Sequence, residues 1–222
     1  YNIFTRLRSE ERKALGFKNY DISGGLQIIC FNVLSKYSAD KYKDFDDLTA
    51  KFPLIFQHGF DPEAKSAIRN EISEDLDISV EEVKRLLTAY SNGSQKKVGD
   101  SKKLQDFFDQ SDLLRREVLS VVKGCLPELL ESAMLQSKQS FPEDYDWQSI
   151  EKEKSSKEAR GEASVFFFVW TFFEKEIRDA MLTILIDGIP LHDAVYSRLD
   201  VKYELLEEVI FKETGFQLKV RN

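Results

Sequence analysis

Two aspartates that stand far apart in the chain are the residues best suited to bind divalent metal ions. Asp21 belongs to the run Asn19 to Gln27, and Asp193 follows His192 between two short apolar stretches. Paired carboxylates can bridge two ions roughly 3.5–4 Å apart, which activate an attacking hydroxyl and stabilise the leaving oxygen of an in-line displacement. Magnesium is the expected metal because it takes oxygen ligands, and manganese is an alternative. For the same reason, His192 is expected to support the turn rather than to bind the metal.

A second set of residues can bind phosphate groups. Lys84 and Arg85 open a run that continues to Tyr90 and Gly93, and the segment from Lys84 to Lys103 holds six basic residues and one acidic residue. Lys and Arg both pair with phosphate oxygens. On a chain with a net charge of -7, this local reversal of charge is where we expect phosphate contacts. For residues 96–103 a solvated loop between two helices is the alternative.

The order of these motifs resembles that of single-subunit RNA polymerases of the phage and mitochondrial type and, more distantly, of family A DNA polymerases. The run Asp-Ile-Ser-Gly-Gly-Leu-Gln, which starts at Asp21, resembles their first palm motif. The pair His192-Asp193 resembles the His-Asp pair of their third palm motif. The run that starts at Lys84 and ends at Gly93 is similar to their fingers helix.

The resemblance implies a template-directed nucleotidyltransferase that uses two magnesium ions and nucleoside triphosphates. Asp21 and Asp193 would be the catalytic metal ligands, and Lys84 and Arg85 would bind the triphosphate. Tyr90 would contact the sugar or the base. The implied partners are a nucleic acid template and the remainder of a longer polymerase polypeptide. The longer polypeptide is also expected because the chain begins with Tyr rather than Met.

The resemblance also bears on the choice of sugar. In the resembled DNA polymerases a Glu at the position of Gly25 blocks the ribose 2′-hydroxyl, whereas Gly25 has no side chain that could do so. An active site would therefore accept ribonucleotides, which favours RNA synthesis or priming. Tyr90 would be the second determinant, but its distance from Lys84 in sequence is two residues shorter than the family's spacing. Because a helix turns 100° per residue, Tyr90 is predicted to lie away from the Lys84 face.

Composition limits the class of protein. With 222 residues and 42% hydrophobic residues, the chain is long and apolar enough to form a globular core. The net charge of -7 argues against a surface that binds nucleic acid everywhere, because such binding depends on local cations. Cys30 and Cys125 lie in apolar sequence and are interpreted as reduced core residues of a cytoplasmic protein. No membrane association is predicted, since the longest aromatic run, 165–173, is far shorter than the roughly 20 residues that span a bilayer.

The pattern of apolar residues predicts an α+β fold that is mainly helical. A small antiparallel sheet is expected from a strand before Asp21, a hairpin around His192-Asp193 and a C-terminal strand. Helices are predicted at 25–37, 61–75, 80–90, 102–123, 127–136, 158–185 and 200–214. Apolar residues lie on nearly all sides of 165–173, which predicts that the helix at 158–185 is buried rather than on the surface. The predicted organisation is a palm made of residues 1–45 and 158–222 and a fingers-like helical insertion of residues 46–157.

Three alternatives stay open on the sequence. A palm-like domain that has lost catalysis could serve as a structural or interaction module, and the acidic charge and shortened motifs favour it. A DNA polymerase is a second alternative. An unrelated helical regulator is a third, and it predicts that the two aspartates lie on different faces.

Overall fold

The computed structural model describes residues 7–38, 40–42, 44–94, 98–147, 156–191 and 194–221. Most of these residues are helical, and a single four-stranded antiparallel sheet is formed among them, which confirms the predicted α+β class. The helices of this part of the chain are α1 Ser9–Ala14, α2 Gly25–Tyr37, α3 Phe45–Lys51, α4 Pro53–Phe60, α5 Pro62–Leu76, α6 Val80–Ser91, α7 Lys102–Cys125, α8 Pro127–Ser137, α9 Ser156–Leu182 and α10 Tyr203–Thr214. The strands are β1 Lys18–Ile22, β2 Ile189–Leu191, β3 Ala194–Ser197 and β4 Val220–Arg221.

Local capping residues determine where several helices begin. The side chain of Asp61 accepts hydrogen bonds from the first turn of α5, and Pro62 supplies the first helical position. Ser79 and Glu82 form a reciprocal capping box at the start of α6. Proline also separates adjacent helices, because Pro127 can begin α8 but has no N–H with which to continue α7. These boundaries agree with those predicted from the sequence.

The chain divides into two compact units, one inserted into the other. Unit 1 comprises residues 1–25 and 172–222, and unit 2 comprises residues 26–171. The boundaries predicted from the sequence were instead at residues 45 and 158. Unit 2 therefore contains the whole of α2 apart from its first residue, and the chain leaves it within α9.

The sheet lies entirely in unit 1. Its strand order is β2-β3-β1-β4, so β1 is central, with β3 on one side and β4 on the other. Along β1, Tyr20 and Ile22 are buried and alternate with the half-buried Asn19 and Asp21. This period of two means that one face of the sheet packs on the core while the other carries polar groups.

Helix α10 covers the apolar face of the sheet. The ring of Tyr20 meets that of Tyr203 edge to face, with their centroids 5.9 Å apart. The Tyr20 hydroxyl donates to the carbonyl oxygen of Leu199 at 2.6 Å and accepts from the backbone N–H of Val201 at 3.0 Å. These two bonds attach β1 to the segment that leads into α10.

Unit 2 is a helical bundle with an aromatic core. Phe31 of α2 is completely buried, and four other phenylalanine rings have centroids 5.8–6.2 Å from its own. At the edge of this core, the buried Glu117 accepts hydrogen bonds from Lys41 at 2.5 Å and from Lys51 at 2.8 Å. The carboxylate of Glu117 therefore connects α7 with the segment around α3.

Two sequence interpretations need correction. Cys30 and Cys125 are both free thiols, as predicted, but only Cys30 is buried, because Cys125 ends α7 at an exposed position. Helix α9 was predicted to be buried on nearly all sides, yet Phe167 is 46% exposed and Phe172 is 41% exposed. Within the described residues, no helix is both long enough and apolar enough to cross a membrane.

Candidate functional site

Asp21 stands on the central strand, between two neighbouring strands. In the antiparallel ladders its Cα partner on β3 is Ala194 and its Cα partner on β4 is Arg221. Residues directly opposite one another in such a ladder have their side chains on the same face, with Cβ atoms about 4.5–5.5 Å apart. The half-buried Asp21 therefore shares one face with a small residue and a basic residue, on the side opposite Tyr20.

The predicted hairpin is present as two paired strands. Leu191 at the end of β2 pairs with Ala194 at the start of β3. His192 and Asp193 connect these two residues in sequence and lie outside the described part of the chain. Because Asp193 is covalently joined to Ala194, the second predicted metal ligand is one residue away from the Cα partner of Asp21.

Asp187 fixes the far end of this hairpin. Its carboxylate accepts a hydrogen bond from the Ser197 hydroxyl, and its other oxygen accepts one from the backbone N–H of Arg198 at 3.0 Å. The Ser197 hydroxyl in turn accepts from the N–H of Leu199 at 3.0 Å. The hydrogen bond from Ser197 is the main cause that lowers the pKa of Asp187 below its ordinary value. These contacts fix the end of β3 against the segment that precedes β2.

Further polar residues lie on the Asp21 face and were not identified from the sequence. Asn19 precedes Asp21 by two residues, so it shares this face, and its Oδ1 atom is buried without a hydrogen-bond partner in the described residues. Tyr196 pairs with Asn19, and the guanidinium of Arg12 lies over the Tyr196 ring, 4.6 Å from its centroid. The strand alternation could have indicated Asn19, but the approach of Arg12 depends on tertiary structure.

The fit of this face to a hard cation can be judged from its oxygen donors. The Asp21 carboxylate and the Asn19 amide oxygen are the kinds of donor that Mg²⁺ takes. Their Cα atoms are separated by two strand residues, or about 7 Å. No group of three or more His, Cys, Asp or Glu side chains able to hold a metal occurs among the described residues, a set that does not include Asp193. The Asp21 carboxylate and the Asn19 amide oxygen are therefore compatible in donor type with a magnesium ion.

The residues after Asp21 leave the strand through two glycines. Gly24 and Gly25 have φ angles of 81° and 40°, in the left-handed region that favours glycine. Any side chain at Gly25 would therefore be strained. Gln27, which ends the Asp21 motif, donates to the Ser91 hydroxyl of α6 at 3.2 Å within unit 2.

Helix α6 carries the residues predicted to bind the triphosphate. Lys84 and Arg85 are exposed, and the Lys84 ammonium lies 3.7 Å from a carboxylate oxygen of Glu81. Tyr90 is only 4% exposed, and its ring meets that of Phe108 edge to face at 5.1 Å. Its burial raises the pKa of its hydroxyl. Tyr90 is thus on the buried face, away from Lys84 and Arg85, as the shortened spacing predicts.

Unit 2 also contains a narrow crevice between its helices. Gln27, Ser91, Ser111 and Phe166 are among the residues that line it. The crevice has no room for a water molecule, so it reflects imperfect packing rather than a ligand site.

The arrangement of unit 1 therefore offers one candidate site, the polar face of the sheet around Asp21.

Comparison with known proteins does not assign the chain to a family. No family model matches the chain, and no curated protein or solved structure matches it.

Proposed function

We propose that the chain is the palm and fingers part of a template-directed nucleotidyltransferase that polymerises ribonucleotides. The observation that carries this proposal is the register of the sheet, in which Asp21 is opposite Ala194. A two-metal site needs two carboxylates close together, and this register supports bringing Asp193 to the neighbourhood of Asp21. A helical regulator with chance motifs has no need of such a pairing.

The proposed roles of the residues are metal binding, phosphate binding and packing. Asp21 and Asp193 would hold the metal ions, which would activate the 3′-hydroxyl and stabilise the leaving pyrophosphate. Lys84 and Arg85 are exposed on α6 and are available to pair with triphosphate oxygens. Tyr90 acts by packing within unit 2, since its ring is buried against Phe108.

The proposed substrate class follows from the turn after β1. Gly25 has no side chain, and its positive φ disfavours any replacement. A bulky group that would exclude a ribose 2′-hydroxyl is therefore absent at Gly25. Ribonucleoside triphosphates are the proposed substrates, with a nucleic acid template and a longer polypeptide as partners.

Primer extension with labelled ribo- and deoxyribonucleotides tests this function, and it should use the full-length protein with Mg²⁺ or Mn²⁺. We expect Asp193→Asn and Asp21→Asn each to abolish extension without changing the circular dichroism spectrum. Asp179→Asn is the matched control, because Asp179 is exposed and, among the described residues, pairs only with Lys175 on the surface of α9. Extension that survives in Asp193→Asn would refute the proposed mechanism. A wild-type protein that binds template but extends no primer would favour the non-catalytic interaction module.

A further inference from the structure

Strand β4 presents Arg221 on the same face of the sheet as Asp21. Val220, the preceding residue, is buried on the opposite face, so alternation directs the Arg221 side chain to the Asp21 side. Arg221 is the Cα partner of Asp21, and Val220 is the Cα partner of Ile22. This pairing makes Arg221 the nearest cross-strand neighbour of Asp21 on the β4 side.

The position of β4 is fixed by contacts on both sides. The Ser23 N–H donates to the carbonyl oxygen of Lys219 at 2.8 Å, which extends the attachment to β1. On the other side, Glu207 of α10 accepts from the Val220 N–H at 3.1 Å and from the Lys219 ammonium at 2.7 Å. A residue held between a strand and a helix in this way has a defined place, although β4 contains only two residues.

Arg221 has no acidic partner among the described residues, unlike the two lysines that stand nearest to β1 and β4. Lys18 pairs with Asp200 at 2.5 Å, and Lys219 pairs with Glu207. The guanidinium of Arg12 donates to the Leu7 carbonyl oxygen at 2.7 Å and 3.0 Å. Within the described residues, Arg221 is exposed and forms no ion pair. Its charge is therefore available to an anion from solution.

We propose that the Arg221 guanidinium binds a phosphate group of the substrate at the Asp21 face. This inference rests on the proposed function, and it adds a phosphate contact from the sheet to those expected from α6. Asp21 would hold a magnesium ion through its carboxylate, and a phosphate bound to that ion would lie on the same face of the sheet. Because directly opposite residues have Cβ atoms about 4.5–5.5 Å apart, the long side chain of Arg221 is within reach of a phosphate at this face. The planar guanidinium can bind two phosphate oxygens at once.

The phosphate could belong to a nucleoside triphosphate or to the backbone of the primer and template. Both sources present the same oxygen atoms to an arginine. Calorimetric titration of the full-length protein with inorganic pyrophosphate in Mg²⁺, and separately with a primer–template duplex in Mg²⁺, distinguishes them. The variants are Arg221→Ala, Arg221→Lys and the matched control Arg198→Ala, since Arg198 is an exposed arginine of the same unit that stacks on Phe17.

We expect Arg221→Ala to weaken binding of one of the two probes about tenfold or more, as loss of a charge-assisted hydrogen bond does. Arg221→Lys should recover part of this loss, because it restores the charge but not the two-pronged geometry. Arg198→Ala should bind both probes like the wild type. A loss confined to pyrophosphate assigns the contact to the triphosphate, and one confined to the duplex assigns it to the nucleic acid backbone.

The inference is overturned if Arg221→Ala binds both probes as the wild type does, or if the wild type binds neither. Thermal unfolding of each variant shows that it is folded. Asp21→Asn separates the two proposals in the same titration. If Asp21→Asn abolishes Mg²⁺-dependent pyrophosphate binding while Arg221→Ala does not, the metal site stands and only the role of Arg221 fails. If Asp21→Asn binds pyrophosphate normally, the metal site itself is refuted.

Discussion

Asp21 of β1 and Ala194 of β3 are Cα partners in an antiparallel ladder. This pairing brings together two segments from nearly opposite ends of the sequence, and Asp193 is covalently attached to one of them. A shift of one residue in this register would send every side chain of β3 to the other face of the sheet. The candidate site therefore depends on the contacts that fix β3 as much as on the aspartates themselves.

Gly188 makes one of those contacts, and we predict that Gly188→Ala destabilises unit 1. A Cβ atom at this position would lie 2.6 Å from the Leu185 carbonyl oxygen and 2.8 Å from a methyl carbon of Val195. The Leu185 carbonyl oxygen belongs to the backbone and cannot move away easily, so the hairpin must shift. We expect a loss of about 1–3 kcal/mol in the free energy of unfolding, typical of overpacked cores. Urea denaturation measures it.

Gly124→Ala is the matched control for that substitution. A Cβ atom at Gly124 would meet no atom of the described residues within 4 Å, and this glycine is in α7, where alanine favours the helix. Gly124→Ala should leave stability unchanged or raise it slightly. Equal stability of Gly188→Ala and wild type would show that the packing around the hairpin is looser than described.

His58 should make unit 2 sensitive to acid. It is 7% exposed, and both ring nitrogens are buried without a hydrogen-bond partner in the described residues. Burial, and then the positive charges of Lys65 and Arg69, lower the pKa of His58 from 6.5 to about 3. Below pH 6.5 the unfolded chain takes up a proton that the folded chain does not. The part of the free energy of unfolding that is linked to the neutral His58 is therefore fully present above pH 6.5 and is lost as the pH falls towards 3.

The comparison of His58→Leu with the wild type isolates this effect. At pH 5 the wild type should lose about 2 kcal/mol more than His58→Leu, relative to pH 7.5, because each pH unit below 6.5 contributes about 1.4 kcal/mol. Urea denaturation at the two pH values gives the difference. Parallel losses in both proteins would mean that His58 is protonated in the folded state.

Substitutions of Tyr90 test whether this residue packs in the core or contacts a substrate. Because its ring is buried against Phe108, Tyr90→Ala should cost about 3–5 kcal/mol of stability, as removal of a core aromatic does. Tyr90→Phe keeps the ring and should stay folded. If Tyr90 only packs, Tyr90→Phe will discriminate between ribo- and deoxyribonucleotides as the wild type does. A change in this discrimination, measured by primer extension, would restore a direct role in sugar choice.

Much of the helical part of the fold could be predicted because its signals are local. The capping box at Ser79 and the Asp61-Pro62 start each act within one helical turn. The predicted range 25–37 for α2 is that of the structure, because its apolar residues follow a regular helical spacing. Capping and periodicity need no knowledge of distant residues.

The rest could not be predicted because it depends on contacts between distant segments. Arg221 gave no signal in the sequence, and its place beside Asp21 is known only from the ladder between β1 and β4. The exposure of Phe167 was missed because an aromatic run shows apolar character without showing which side of the helix is covered. The spacing of Tyr90 did indicate its rotation away from Lys84, since both residues are on one helix.

The most direct measurement of the central claim is anomalous scattering from crystals soaked in Mn²⁺. The proposed two-metal site predicts a manganese peak bonded to carboxylate oxygens of both Asp21 and Asp193, and its loss in crystals of Asp21→Asn. Asp179→Asn crystals should keep the peak. Carboxylates of Asp21 and Asp193 that point into separate surroundings, with no manganese bound to either, would contradict it.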